Sequence, residues 1–162
     1  MSYDAERQSI ESRLKSAWTA TPIKYENVAY TPGNTTTSFI ELMIINSESV
    51  QVSLGSPALY RHPGTISINV RTRLQIGSSM AKQYADTLAG IFRGKQFDGI
   101  TCRSPRVLRL GEVNGWFMYN VGIPFFRDEL FNSEVAVPSP SNSPSRTPSL
   151  TPSRTPSATP EP

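Results

Sequence analysis

Thr65-Ile66-Ser67-Ile68-Asn69-Val70-Arg71-Thr72-Arg73 alternates apolar and polar residues, the period of a strand with one face in a core and the other outside it. Ile66, Ile68 and Val70 fall on the covered face. Such a strand needs neighbours at its edges and an apolar layer over the isoleucines. The flanking sequence supplies both.

Upstream, Val50, Val52 and Leu54 alternate with polar residues, and Phe39 to Ile45 is a run of large and β-branched apolar residues. Both read as strands, and the Asn46-Ser47-Glu48-Ser49 link predicts a hairpin between them. Gly55 to Gly64, with Pro57 and Pro63, is predicted as a loop. Ile23 to Tyr25 reads as a short strand, followed by a polar loop through Pro32-Gly33-Asn34 and Thr35-Thr36-Thr37. At the start of the chain, Ile10, Leu14, Ala17 and Trp18 fall at i, i+4, i+7 and i+8, which predicts a helix from Tyr3 to about Ala20 with one buried stripe. Asp4 and Glu6 suit the positive end of its dipole, and Pro22 prevents continuation.

Downstream, Ala81, Tyr84, Ala85, Leu88, Ala89 and Phe92 recur every three or four residues and predict a second helix over Ser79 to Arg93. Ser78 or Ser79 can cap its start, and Gly94 suits its end. Ile100 to Leu110 reads as a strand interrupted by Pro105, Gly111-Glu112-Val113-Asn114-Gly115 as a turn, and Trp116 to Phe126 as a last long strand. Links of hairpin length make the sheet largely antiparallel, with the two single-striped helices on one face. The expected fold is an α+β domain over residues 1–137.

From Ser139 the chain divides into six tetrads, SPSN, SPSR, TPSL, TPSR, TPSA and TPEP, each with proline second. Residues 138–162 contain too little apolar surface to offset the entropy of ordering, so the tail is expected to be disordered or an extended polyproline-like arm. Pro138, Arg146, Leu150 and Arg154 are candidate contact points if the arm lies along a neighbouring subunit. Modification at Ser/Thr-Pro sites is another use for the same sequence.

A net charge of +3 does not by itself indicate a nucleic-acid binder. A single cysteine, Cys102, excludes an internal disulfide, and with one histidine, His62, it cannot complete a Cys/His zinc site. The first residues lack the basic start and apolar run of an export signal, and Leu42-Met43-Ile44-Ile45 is far short of a membrane span of about 20 residues. The expectation is a protein without membrane, metal or cofactor.

No catalytic constellation emerges. His62 lies in a stretch read as a surface loop, Cys102 reads as a small buried side chain, and Asp128 and Glu129 read as a solvated charge run. Gly90 to Lys95 lacks the spacing of a phosphate loop and sits at a helix end, where the dipole opposes anions. Gly77-Ser78-Ser79 is better read as a plain cap than as an anion site. Two features remain for interactions. Arg93, Lys95, Arg103, Arg106 and Arg109 are a candidate basic belt if repeated around a symmetric ring. Trp116, Phe117, Tyr119, Phe125 and Phe126 cannot all share the one covered face of a strand, so some must pack elsewhere or at a subunit contact. Tyr60, Arg61, Phe125 and Phe126 are the candidate contact residues.

The order of segments resembles that of the tail terminator proteins of long noncontractile-tailed bacteriophages. The matching residues are Pro22-Ile23-Lys24-Tyr25-Glu26-Asn27 after the first helix, Ser53-Leu54-Gly55, and Pro63-Gly64 before the alternating strand Ile66 to Val70. Tyr84-Ala85-Asp86 to Phe92 in the second helix and the strand Trp116 to Pro124 complete the set, over roughly residues 5–130. The resemblance implies a homohexameric ring at the head-proximal end of a tail tube. Its partners would be the tube protein, head completion or connector proteins, and genomic DNA passing through the lumen without sequence-specific binding. It also implies a virion component made in the host cytoplasm. The proline tail is outside the family pattern. Rival readings are another tail or neck component, such as a tube subunit or head-tail joining protein, and a nucleic-acid- or peptide-binding module.

Overall fold

In the computed structural model, which describes residues 1–30 and 37–131, the alternating stretch is the C-terminal half of a longer strand that begins at Ala58. The elements run α1 (Tyr3–Ala17), β1 (Ile23–Lys24), β2 (Phe39–Asn46), β3 (Val50–Gln51), β4 (Ala58–Thr72), α2 (Ser79–Phe92), β5 (Gln96–Phe97), β6 (Ile100–Cys102), β7 (Arg106–Val113) and β8 (Trp116–Phe131). All eight strands join one sheet, ordered β1-β2-β4-β8-β6-β5, with β3 on β4 and β7 on β8. Every pairing is antiparallel except that of β1 with β2. The sequence-based α+β reading with two helices on one face is the fold observed.

Register explains the layers. Ile68 faces Leu42 on one side and Val121 on the other, and Ile66 faces Ile44 and Ile123. These side chains lie on one face of the sheet, under Ile10, Leu14 and Trp18 of α1 and Ala81, Ala85, Leu88, Ala89 and Phe92 of α2. Burial of this one apolar face against two amphipathic helices is the main force holding the domain. The opposite face carries Met43, Ile45, Thr65, Ser67, Asn69, Asn120, Gly122, Pro124 and Phe126, and neither described helix covers it.

Several local expectations are corrected. Helix α1 ends at Ala17, because Trp18 is already extended and caps the helix with its N–H on the Leu14 carbonyl. Asp4 and Glu6 do lie in its first turn, and Ser2 caps its start, accepting from the Ala5 N–H at 3.1 Å. Neither Ser78 nor Ser79 is a side-chain cap of α2: Ser78 holds the capping position in a helical conformation without a side-chain bond. Gly94 does follow the helix with φ +61.

The hairpin expected between Phe39–Ile45 and Val50–Leu54 does not form. Both segments instead use one edge of β4, β2 along Gly64 to Arg71 and β3 along Tyr60 and Arg61. This is possible because the stretch read as a loop through Pro63 is strand. Pro63 O accepts from Ser47 N, so the proline nitrogen points to the same edge, at the gap between β2 and β3, where no ladder donor is required. The strand read across Ile100 to Leu110 is two strands, β6 and β7, separated around Pro105 and both lying on the second edge of β8. Two-residue turns with positive φ, Asp98-Gly99 and Asn114-Gly115, close the β5–β6 and β7–β8 hairpins in the manner such dipeptides favour.

Candidate interaction surfaces

The β4–β8 pair runs from Thr72 and Phe117 at one end to Ala58 and Phe131 at the other. The start of α1 is bonded to it near its far end by a chain of polar side chains. Glu6, 1% exposed, accepts from Arg127 Nε at 2.7 Å and from Asn46 Nδ2 at 2.6 Å. Arg127 Nη1 donates to Glu129 at 2.7 Å, and the N-terminal ammonium donates to the same carboxylate at 3.1 Å. Burial works against the Arg127 charge, but hydrogen bonds to Glu129 and Glu6 outweigh it and raise its pKa. Those bonds also hold Glu129 below the usual glutamate range, first through Arg127 and then through the N-terminus.

His62 belongs to this network, not to a surface loop. It lies in β4 opposite Arg127, with Nδ1 2.6 Å from Ser49 Oγ, Nε2 3.4 Å from Glu129 and its ring edge-on to Tyr3. Asp128 and Glu129 are likewise not a free charge run. Asp128 accepts two bonds of 2.7 Å from Arg61, and that guanidinium lowers its pKa. The polar side chains of this cluster bond mainly to one another and tie the start of α1 to the β4–β8 pair.

The uncovered face of the sheet has a different character. Asn120 Nδ2 bridges Ser67 Oγ and Asn69 Oδ1, both at 2.8 Å, which satisfies the polar groups at its centre. Beside them, Ile45, Leu108 and Pro124 flank a groove of about 310 Å³ floored by Gly122, with Arg106 on its rim. Ile45 is 54% exposed and Leu108 37%, so large apolar side chains border the groove on both sides. At the far side of this face Phe126 lies between two guanidinium groups, Arg61 at 4.2 Å and Arg103 at 5.2 Å from its centroid.

The candidate basic residues therefore divide. Arg103 and Arg106 share the uncovered face, Arg109 stacks over Phe117 on the helix side, and Arg93 and Lys95 lie just beyond α2. All five are exposed, and none forms an ion pair with a described residue. The candidate contact residues divide as well. Phe125 is a core side chain, 2% exposed, packed under Gly64, so alternation removes it from the surface. Phe126, its neighbour, points the other way. Tyr60 is half-buried, edge-on to Phe131. Pro138, Arg146, Leu150 and Arg154 lie outside the described residues.

Cys102 is buried, and burial pushes its thiol up to about 11, the opposite of what a nucleophile requires. Among the described residues no three His, Cys, Asp or Glu side chains gather in a way that could hold a metal ion. Nor is any described helix long and apolar enough to cross a membrane. Sequence reasoning missed the Glu6–Arg127 pair. A glutamate one turn before Ile10, on the buried stripe of α1, was the available signal.

A family model described as phage tail terminator protein matches residues 7–122. No curated protein matches the chain. One solved structure, whose name carries no functional description, is 22% identical over 81% of this chain and 98% of its own, with a TM-score of 0.56. That likeness is one of fold.

Proposed function

The chain belongs to the phage tail terminator family, and on that premise we propose that this virion tail protein closes into a ring at the head-proximal end of the tail tube. The ring halts tube polymerisation and offers its other side to head completion or connector proteins. The tail in question is long and noncontractile, and the ring is a homohexamer with genomic DNA passing through its lumen. The observation that supports this reading best is the uncovered sheet face. Ile45, Leu108 and Pro124 lie on it uncovered by any described residue, beside Arg103 and Arg106, which form no ion pair with a described residue.

Assembly supplies the missing layer. A heterologous contact that buries this face on an adjacent subunit closes into a ring when the rotation between copies is fixed. The outer edge of β7 pairs with no described strand, and an edge of eight residues is a ready site for strand addition. Once a ring caps the tube, the tube protein has no equivalent surface on which to add. In a six-fold array Arg103 and Arg106 give twelve cations in register, enough to attract DNA phosphates or an acidic partner without reading sequence.

The test is to image the protein in its native particle and to weigh its complex with tube protein by native mass spectrometry. One ring of six at the top of the tube is expected. Many stacked rings would make it a tube subunit instead, a ring on the head side without tube contact would make it a joining protein, and a closed dimer would sink the ring altogether.

A further inference from the structure

Beyond the sheet face, the far end of the β4–β8 ribbon carries a second surface on its helix side, past the start of α1. Tyr60, His62, Glu129 and Phe131 line a groove there of about 400 Å³. Its aromatic walls are held in fixed orientations: Tyr60 meets Phe131 edge-on at 6.3 Å, and His62 meets Tyr3 edge-on at 6.0 Å. Phe131 is 59% exposed, and the Glu129 side chain remains 40% exposed despite its partners. Rings standing roughly perpendicular, with a carboxylate beside them, form the kind of slot into which a polyproline helix fits. Such a ligand is stiff before binding, so little entropy is lost when it docks.

The chain itself carries a matching segment. Residues 138–162 repeat Ser/Thr-Pro in six tetrads, two of which end in arginine, Arg146 and Arg154. Only six residues separate the segment from Phe131, a spacer that extends to about 20 Å and so allows return to a groove that Phe131 itself lines. The 24 residues from Ser139 onward reach roughly 75 Å as a polyproline helix, far enough to meet the same groove on a neighbouring subunit.

We propose that the Tyr60–Phe131 groove is the docking site for a Ser/Thr-Pro tetrad of the chain's own 138–162 segment. The proline packs between the aromatic rings, and Arg146 or Arg154 pairs with Glu129. Neither half of this depends on ring formation, so it stands or falls apart from the terminator reading.

Arginine gives a direct readout, because trypsin cuts after Arg146 and Arg154. Cleavage of the full-length chain at these bonds is compared with cleavage of a free 138–162 peptide. Docking predicts that the full chain is cut at least five-fold more slowly. Phe131→Ala, at an exposed strand end, and Tyr60→Ala should each restore the peptide's rate, with thermal melts reporting that the fold persists. Replacing Pro144, Pro148, Pro152 and Pro156 by alanine, compared with its own free peptide, should do the same without touching the domain. Protection that rises with protein concentration assigns the docked tail to a neighbouring copy, and constant protection assigns it to the same chain; both support the proposal. Equal rates for wild type and free peptide overturn it, as does protection that survives Phe131→Ala and Tyr60→Ala or the proline substitutions.

Discussion

Glu6 and Arg127 stand 121 positions apart in sequence and meet at 2.7 Å, with 1% and 3% of their side chains exposed. A charge so enclosed persists only because its partner is there. Replacing Glu6 by leucine leaves Arg127 buried with one exposed carboxylate, and should cost about 3–5 kcal/mol. The double variant Glu6→Leu/Arg127→Met should regain most of that loss, since an apolar pair suits the same space. Urea unfolding of wild type, single and double variants measures the coupling; a double variant no more stable than the single one would refute the account.

Gly64 is fixed by packing and not by backbone conformation. A Cβ there would lie 2.5 and 2.7 Å from the Phe125 ring and 3.0 Å from the Ile45 carbonyl. Gly64→Ala should therefore destabilise the domain by about 1–3 kcal/mol. Phe125→Leu costs stability alone through lost core volume, but combined with Gly64→Ala it should cost less than the sum of the two. Strict additivity in a double-mutant cycle would mean that the ring is not what the methyl group meets.

Burial pushes Glu41 upward, but hydrogen bonds from Lys24 at 2.6 Å and Arg71 at 3.0 Å outweigh it and hold its pKa below the ordinary 4.5. With the folded value depressed, the unfolded chain takes up the proton first as pH falls. The stabilisation is thus complete above the ordinary value and lost as pH drops through the folded one. Near pH 7, Glu41→Gln should cost about 1–2 kcal/mol. The gap between variant and wild type should narrow as pH is lowered below the ordinary glutamate value of 4.5. A gap that stays constant over that range would mean the carboxylate's charge contributes nothing.

How much of this was legible differs by element. Ile66, Ile68 and Val70 announced both the sheet and its covered face, and the stripes of α1 and α2 announced what covers it, because local periodicity and tertiary burial agree there. The region around Pro63 was misread because proline and glycine signal loops locally. Only the position of Pro63 at the gap between β2 and β3 makes strand tolerable, and that is a property of the neighbours. The charge cluster failed for the same reason. Glu6, His62, Arg127 and Glu129 are ordinary surface types in sequence, and only the crossing of α1 over the β4–β8 ribbon brings them together. The division of the arginines follows from alternation along β7 and β8, and the interruption read at Pro105 did not say which face each side of the break would present.

The uncovered sheet face offers the sharpest separation of folding from assembly. Ile45 and Leu108 are exposed across the groove from one another and contribute little to the core, so charging them leaves the helix-covered face intact. Ile45→Glu/Leu108→Glu should change unfolding free energy by no more than about 1 kcal/mol, the range of ordinary surface changes. If subunits or tube protein bury this face, the same variant places two carboxylates in an apolar contact, and the desolvation cost should abolish the assembled complex. Arg106→Glu, on the rim, should weaken assembly in a salt-dependent manner, because a rim charge acts mainly through long-range attraction. Native mass spectrometry with tube protein reads both effects. A double variant that assembles normally would move the interface to the outer edge of β7, where Val107→Pro becomes the decisive substitution, since proline there removes a backbone donor from an added strand.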